Sequence, residues 1–362
     1  MTPRKNRWFS LQRWLWIGGV VILLIVAWHL VTSYYKEEEK ALRIQLRSTL
    51  QETFPDRKAA FMQTIGLFTF DPYEAISERT VRGEAGVVLI HGLDEPGKVW
   101  QNLAPALAEQ GEQFWVMNYP NDQPVVESAH LLFDSLETLR SLGIQRIAIV
   151  AHSMGGLVSR EMLTSPELAY ARAEQAASVP AVDLLIMVGT PNHGSQLVRF
   201  RLFTEVRDQF ARLIQGEGGW LWAIFDGAGE AKIDLLPGSL FLTTLNDRPH
   251  PRGVEQLIIA GVISPWNEND ISQWREYIDR YLPDYQQKPM EGLSDYLVSM
   301  TNGLGDGLVT VESTRLSGVA HQTVAGTHLS MIRNITTENQ RIPPAVPIII
   351  EKLQHKRSQG WR

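Results

Sequence analysis

From residue 86 onward, six short apolar runs alternate with stretches of helical character, and this alternation limits the possible folds more than any other feature. The runs are 87–90, 114–117, 146–150, 184–188, 256–260 and 322–325. They are too short to be amphipathic helices, and most lack the polar alternation of a strand wetted on one face. Such runs read as strands buried on both sides, as in a parallel sheet. Helical patterns at 125–142 and 156–163 lie between them. The expected class is therefore α/β, a mostly parallel central sheet flanked by helices. A chain of 362 residues, 44% hydrophobic, can bury one sizeable core with elaborations. No internal repeat or low-complexity tract interrupts it.

Reactive residue types gather just after these runs. Ala151-His152-Ser153-Met154-Gly155-Gly156 follows the run 146–150 and opens a helical stretch. A serine raised on a sharp strand-to-helix turn needs small residues two before and two after it, because strand and helix approach closely there. Alanine stands at the first of these positions where glycine is usual, which keeps the steric logic. By composition alone such a short pattern arises in about one chain in three of this length. Its weight comes from the strand before it and the helix after it.

A nucleophilic serine needs a base, and the base needs an acid, arriving in the order Ser, Asp, His for this kind of sheet. Of the nine histidines, His328 follows the run 322–325 across Gly326-Thr327, where a loop can carry an imidazole over the serine. Asp306 lies in Gly303-Leu304-Gly305-Asp306-Gly307-Leu308-Val309, after the run 256–260, and its flanking glycines allow a tight bend that presents one carboxylate. An ordinary turn aspartate and a capped loop histidine are the structural alternatives for these two. Two backbone donors are expected for an oxyanion: the amide of Met154 at the helix start, and that of Leu93 after His91-Gly92. His91 reads as a residue that orders this loop.

These pieces in combination resemble the α/β-hydrolase family, and within it bacterial serine lipases and esterases and the inositol deacylase-like hydrolases. The resemblance rests on Val-Leu-Ile-His-Gly (88–92), Ala-His-Ser-Met-Gly-Gly (151–156), Gly-Thr-Pro-Asn-His-Gly-Ser (189–195), Gly-Asp-Gly-Leu-Val (305–309) and His328-Leu329, over residues 86–335. It implies Ser153, Asp306 and His328 as a triad and Leu93 with Met154 as the oxyanion hole. It also implies that the Thr-Pro piece borders the site without doing chemistry. The expected reaction is hydrolysis of a carboxylic ester through an acyl-enzyme, with no cofactor and no metal. An acyltransferase or thioesterase would use the same groups, and a catalytically silent membrane scaffold would keep only the fold. An extra segment at 264–301 departs from the family pattern and offers Asp295 as a second candidate acid.

The N-terminus carries a different signal. Residues 14–35 hold no formal charge; as a helix they would span roughly 33 Å, enough to cross a bilayer's hydrocarbon layer. Trp14 and Trp16 at one end, and Trp28, Tyr34 and Tyr35 near the other, suit the two interfaces. The span exceeds a signal-peptide core and no small-residue cleavage pattern follows, so it reads as an uncleaved anchor. Basic residues flank both ends, and the short basic tail favours a catalytic domain on the non-cytoplasmic side. The expected organisation is a tail and anchor over 1–35, a helical stalk and lead-in over 36–85, and a catalytic domain over 86–362 with a lid or cap at 196–255. Trp220, Leu221, Trp222, Ile224 and Phe225 lie among glycines in that cap, either as a flap meeting acyl chains or as cap core. The expected partners are an ester, possible lipid character included, and the membrane itself. A net charge of −6 gives no footprint for nucleic acid, and the absence of cysteine excludes disulfides and a thiolate nucleophile.

Overall fold

A computed structural model describes residues 40–41, 44–45, 64–93, 97–121, 123–195, 230–263, 303, 305–334 and 339–361. The expected anchor at 14–35, the apolar part of the cap at 216–229, and Asp295 lie outside these residues. Among the described residues no helix is long and apolar enough to cross a membrane.

Among the described residues seven strands form one sheet: β1 (Gly66–Phe68), β2 (Ala85–Ile90), β3 (Phe114–Asn118), β4 (Arg146–His152), β5 (Ala181–Val188), β6 (Glu255–Val262) and β7 (Ala320–Ala325). Their order is β1-β3-β2-β4-β5-β6-β7. Every neighbouring pair is parallel except β1 with β3. All six expected strands are present, each of them longer than the apolar run that marked it. The seventh, β1, comes from the segment read as a lead-in.

The near-continuous hydrophobicity of the central strands has a direct cause: successive side chains enter opposite cores. On one face Val88, Ile90, Ile147, Ile149, Ala151, Leu185 and Met187 share a cluster with α2 (Val125–Ser141) and α3 (Met154–Thr164). On the other, Val87, Leu89, Ala148, Val150, Leu184, Ile186 and Val188 meet α1 (Leu103–Glu109) and a C-terminal helix (Ala345–Ser358). Shorter helices α4 (Tyr170–Gln175), α5 (Glu230–Asp234), α6 (Leu240–Asn246) and α7 (Val311–Thr314) fill the connections, which makes the C-terminal helix α8.

Helix α2 shows how local sequence and packing agree. Val125, Ala129, Leu132, Leu136 and Leu139 recur at steps of four and three, and all are fully buried. Each leucine contributes roughly 2 kcal/mol by leaving water. The helix starts after Pro124, where the carboxylate of Asp234 accepts the Val125 N–H at 3.0 Å. It stops at Gly143, whose φ of 101° lets Ile144 N–H turn back to the Leu139 carbonyl. Leu136→Asp would place an unpaired charge in this stripe and break the contact with the sheet.

Candidate active site

The carboxyl ends of β2, β4, β5, β6 and β7 all open on one edge of the sheet, where ligand sites of open α/β sheets form. Between β4 and α3 stands a single residue, Ser153, with φ 53° and ψ −126°. This non-glycine positive φ stores strain of order 1–3 kcal/mol and persists only where packing enforces it. The enforcement is visible. A Cβ on Gly155 would fall 2.3 Å from the Ile90 carbonyl oxygen, and one on Gly156 would fall 2.2 Å from Thr190 Oγ1. Helix α3 therefore sits directly against the ends of β2 and β5, and Ser153 N–H donates to the Val188 carbonyl at 2.8 Å.

The loop after β2 approaches the same serine. A Cβ on Gly92 would lie 2.6 Å from Ser153 Cβ and 3.1 Å from its Oγ, so only glycine fits there. Leu93, half-buried, follows Gly92 directly in this loop. His91 orders the loop as expected: its Nδ1–H donates to the Gly92 carbonyl at 2.8 Å. Its own carbonyl accepts from Tyr119 Oη at 2.6 Å, and the two rings stack at 4.6 Å. Burial pushes the His91 imidazole down to about 4, so it is neutral near pH 7. Met154, buried, is the first residue of α3, and no side chain caps that first turn. Its amide sits at the positive end of the helix dipole, beside Ser153.

Asp306 occupies a tight turn after β6. Gly305 adopts φ 52°, and a Cβ there would fall 1.9 Å from the Val309 carbonyl oxygen, which explains the glycine before the acid. Asp306 Oδ1 accepts two backbone N–H bonds, from Leu308 at 2.9 Å and Val309 at 2.8 Å. Oδ2 accepts from His328 Nδ1 at 2.7 Å. The backbones are joined as well, His328 N–H donating to the Asp306 carbonyl at 2.9 Å. Both side chains are buried. The carboxylate assigns the imidazole proton to Nδ1 and leaves Nε2 with its lone pair, the tautomer that a general base requires.

The structure thus brings Asp306 and His328 into direct contact and places Ser153, Gly92 and Met154 together. The two groups meet through Gly189, where a Cβ would lie 3.2 Å from both Asp306 Oδ2 and His328 Cε1. They also meet through His152, whose Nε2 lies 3.0 Å from the His328 carbonyl oxygen. Among the described residues Ser153 Oγ makes no hydrogen bond to His328; such contacts commonly close only with substrate present.

The Thr-Pro piece does more than border this site. Ser195 Oγ donates to the Leu308 carbonyl, and Ser313 Oγ donates to the Gly194 carbonyl at 2.5 Å. Asn192 Nδ2 donates to the Thr314 carbonyl at 2.7 Å. The segment therefore clamps the loop that holds Asp306. Asn192 is itself held by Arg160 Nη1 at 2.9 Å, from two turns along α3. Sequence reasoning missed Tyr119, His152, Asn192 and Arg160. Only Arg160-Glu161 carried a signal, as two adjacent charges inside a stretch otherwise suited to burial. Both are buried, and Arg248 pairs with Glu161 at 2.7 Å. Among the described residues no group of three or more His, Asp or Glu is placed to share a metal ion.

No curated protein sequence matches this chain. Solved structures do, at low identity. Lipase BlEst2 of Bacillus licheniformis in its mature form is 18% identical with a TM-score of 0.46, covering 74% of this chain and 93% of that one. The phospholipase PlaB of Legionella pneumophila is 18% identical with a TM-score of 0.46, over 75% of this chain and 60% of that one. The metagenomic carboxyl esterase MGS0156 is 17% identical with a TM-score of 0.47, over 76% of each chain. The sequence model of the alpha/beta hydrolase family matches residues 87–315, a span that runs from β2 through the elbow and the acid turn to the residue after α7. With more than half its length matched, this chain belongs to the alpha/beta hydrolase family.

Proposed function

We propose that this protein is a serine hydrolase that cleaves carboxylic esters, in the manner of a lipase or esterase, through an acyl-enzyme on Ser153. The observation that carries the reading is the buried Asp306–His328 bond, which leaves His328 Nε2 unprotonated on the same sheet edge as a serine held at positive φ. His328 takes the Ser153 proton as Oγ attacks the ester carbonyl, and the amides of Leu93 and Met154 receive the oxyanion. His328 returns the proton to the leaving alcohol and then draws one from water, so that hydroxide releases the acid and Ser153 regains its proton. Asp306 holds the Nδ1 proton throughout and stabilises the imidazolium.

In this reading residues 14–35 anchor the chain in a membrane as a single span, with the catalytic domain on the non-cytoplasmic side. The stretch 196–255 carries a lid over an ester of lipid character, its described part, α5 and α6, packing on the core and on α3 as its base. One contact supports that placement: Ser195 N–H donates to the Leu235 carbonyl at 2.9 Å. The described residues on either side of 196–229 therefore meet beside the acid turn. A fluorophosphonate probe tests the chemistry. Wild type should be labelled and Ser153→Ala should not; equal labelling of the two sinks the proposal. A panel of esters graded by chain length, run on the full chain in detergent, tests the lipid reading. A preference confined to the shortest esters would refute it.

A further inference from the structure

His152 precedes the nucleophile and is the last residue of β4, with its side chain 1% exposed. Its Nε2 faces the His328 carbonyl oxygen at 3.0 Å. A carbonyl accepts only, so Nε2 carries the ring proton and Nδ1 keeps a lone pair. The two imidazoles also touch, with centroids 4.7 Å apart and planes inclined by 49°.

The position of this contact gives it meaning. The His328 residue is held at three points: N–H to the Asp306 carbonyl, Nδ1 to Asp306 Oδ2, and its own carbonyl to His152. The first two tie the base to the acid. Only the third ties it to the nucleophile's strand, and His152 is covalently joined to Ser153. Among the described residues this is the one hydrogen bond between residues 151–155 and the loop 326–330. Since Ser153 and His328 share no hydrogen bond of their own, the His152 ring is the direct hydrogen-bonded link between nucleophile and base among the described residues, beside the van der Waals approach at Gly189.

We infer that His152 is a positioning residue that sets the separation of Ser153 and His328 by donating its Nε2 proton to the His328 carbonyl. The inference rests on the Ser153–His328 reading above and adds a residue to it. The charges acting on His152 come from His328, Asp306 and His91. Burial first, and the neighbouring His328 second, push its own protonation down to about 3. It therefore stays neutral while His328 cycles through its charged form, and the ring contact never becomes one between two cations.

The test compares His152→Phe, which keeps the ring and removes the donor, with His152→Gln, whose amide N–H can reach the same carbonyl. Activity is read as separate kcat and KM on a soluble short-chain ester. The tether itself is read from the low-field proton resonance of His328 Nδ1–H. His152→Phe is expected to lower kcat by ~10- to 100-fold with KM within about twofold, since small misplacements of a reacting group cost this much. Its low-field resonance should shift or broaden, and His152→Gln should recover most of both. If His152→Phe does not fold, His152→Asn, whose amide is too short to reach, takes its place. Wild-type kcat with an unchanged resonance overturns the inference. So does a kcat loss with an unchanged resonance, or one that glutamine does not recover. Failure of the parent reading is separate: it would show as probe labelling of Ser153→Ala, while the resonance still reports on the tether.

Discussion

Replacing Asp306 by asparagine separates the chemistry of the acid from its contribution to the fold. In the native turn Oδ1 accepts two backbone N–H bonds at 2.9 and 2.8 Å, and Oδ2 accepts His328 Nδ1–H at 2.7 Å. An amide has one oxygen, so Asp306→Asn must choose which partners keep an acceptor. Turning its NH2 toward Leu308 and Val309 would leave two buried N–H donors unsatisfied, at about 1–3 kcal/mol each. The amide oxygen therefore stays with the two backbone donors, and the NH2 faces His328. The imidazole must then present a lone pair at Nδ1 and carry its proton on Nε2. Nε2–H cannot take the Ser153 proton. The expected loss in kcat is three to four orders of magnitude, or ~4–5 kcal/mol of transition-state stabilisation.

Because every hydrogen-bonding position in the turn is still filled, Asp306→Asn should melt within a few degrees of wild type. Asp306→Ala, which strips both backbone donors of their acceptor, should lose ~2–4 kcal/mol of stability. The assay is hydrolysis of a chromogenic short-chain ester by the purified full chain in detergent, with thermal unfolding measured alongside. A fall of less than ~10-fold in a folded Asp306→Asn protein would refute the tautomer argument. The acid would then be sought in the segment 264–301, with Asp295 first.

Three further outcomes follow from the same geometry. Ser153→Gly relieves the positive φ at the elbow and should raise the urea midpoint by the equivalent of ~1 kcal/mol while abolishing probe labelling; an unchanged or lower midpoint would show that no strain is stored there. Gly155→Ala places a methyl 2.3 Å from the Ile90 carbonyl oxygen and should cost ~3 kcal/mol or prevent folding, and a midpoint within error of wild type would contradict the close packing of α3 on β2. His91 and His152 are held down to about 4 and about 3 in the fold, against about 6.5 in the unfolded chain. The unfolded state then binds more protons below pH 6.5, so stability should fall as pH drops from about 6.5 toward 4. The urea midpoint followed between pH 7 and pH 5 checks this, and His152→Gln should flatten the slope; a midpoint independent of pH in wild type would refute it.

The central sheet was legible because a parallel strand covered on both faces has no room for polar alternation. The core runs in 87–90 and 184–188 therefore announced themselves. Strand β1 did not, since Gly66–Phe68 is a three-residue antiparallel edge, too short to establish a period. Helix α8 lies where no element was expected: Val346, Ile348, Ile349 and Ile350 are β-branched and favour strand by propensity, and its place against β2, β4, β5 and β6 makes it a helix that buries Val346, Ile349 and Leu353. The sharp turn at Ser153 and the pairing of Asp306 with His328 were legible because steric and chemical needs restrict residue types at an elbow and at strand ends. His152 was visible merely as the variable position of a short motif.

By itself the sequence determined which residues can be strand, turn and nucleophile, because burial period, glycine placement and chain order are local properties. It also determined the order Ser153, Asp306, His328. Tertiary structure decided the contacts: which carboxylate oxygen serves the backbone and which the imidazole, and which tautomer His328 adopts. It likewise decided that the Asn192 segment grips the acid turn and that His152 reaches the His328 carbonyl. Those pairings join residues more than a hundred positions apart, or depend on ångström differences in hydrogen-bond geometry, and no local pattern in a chain encodes either.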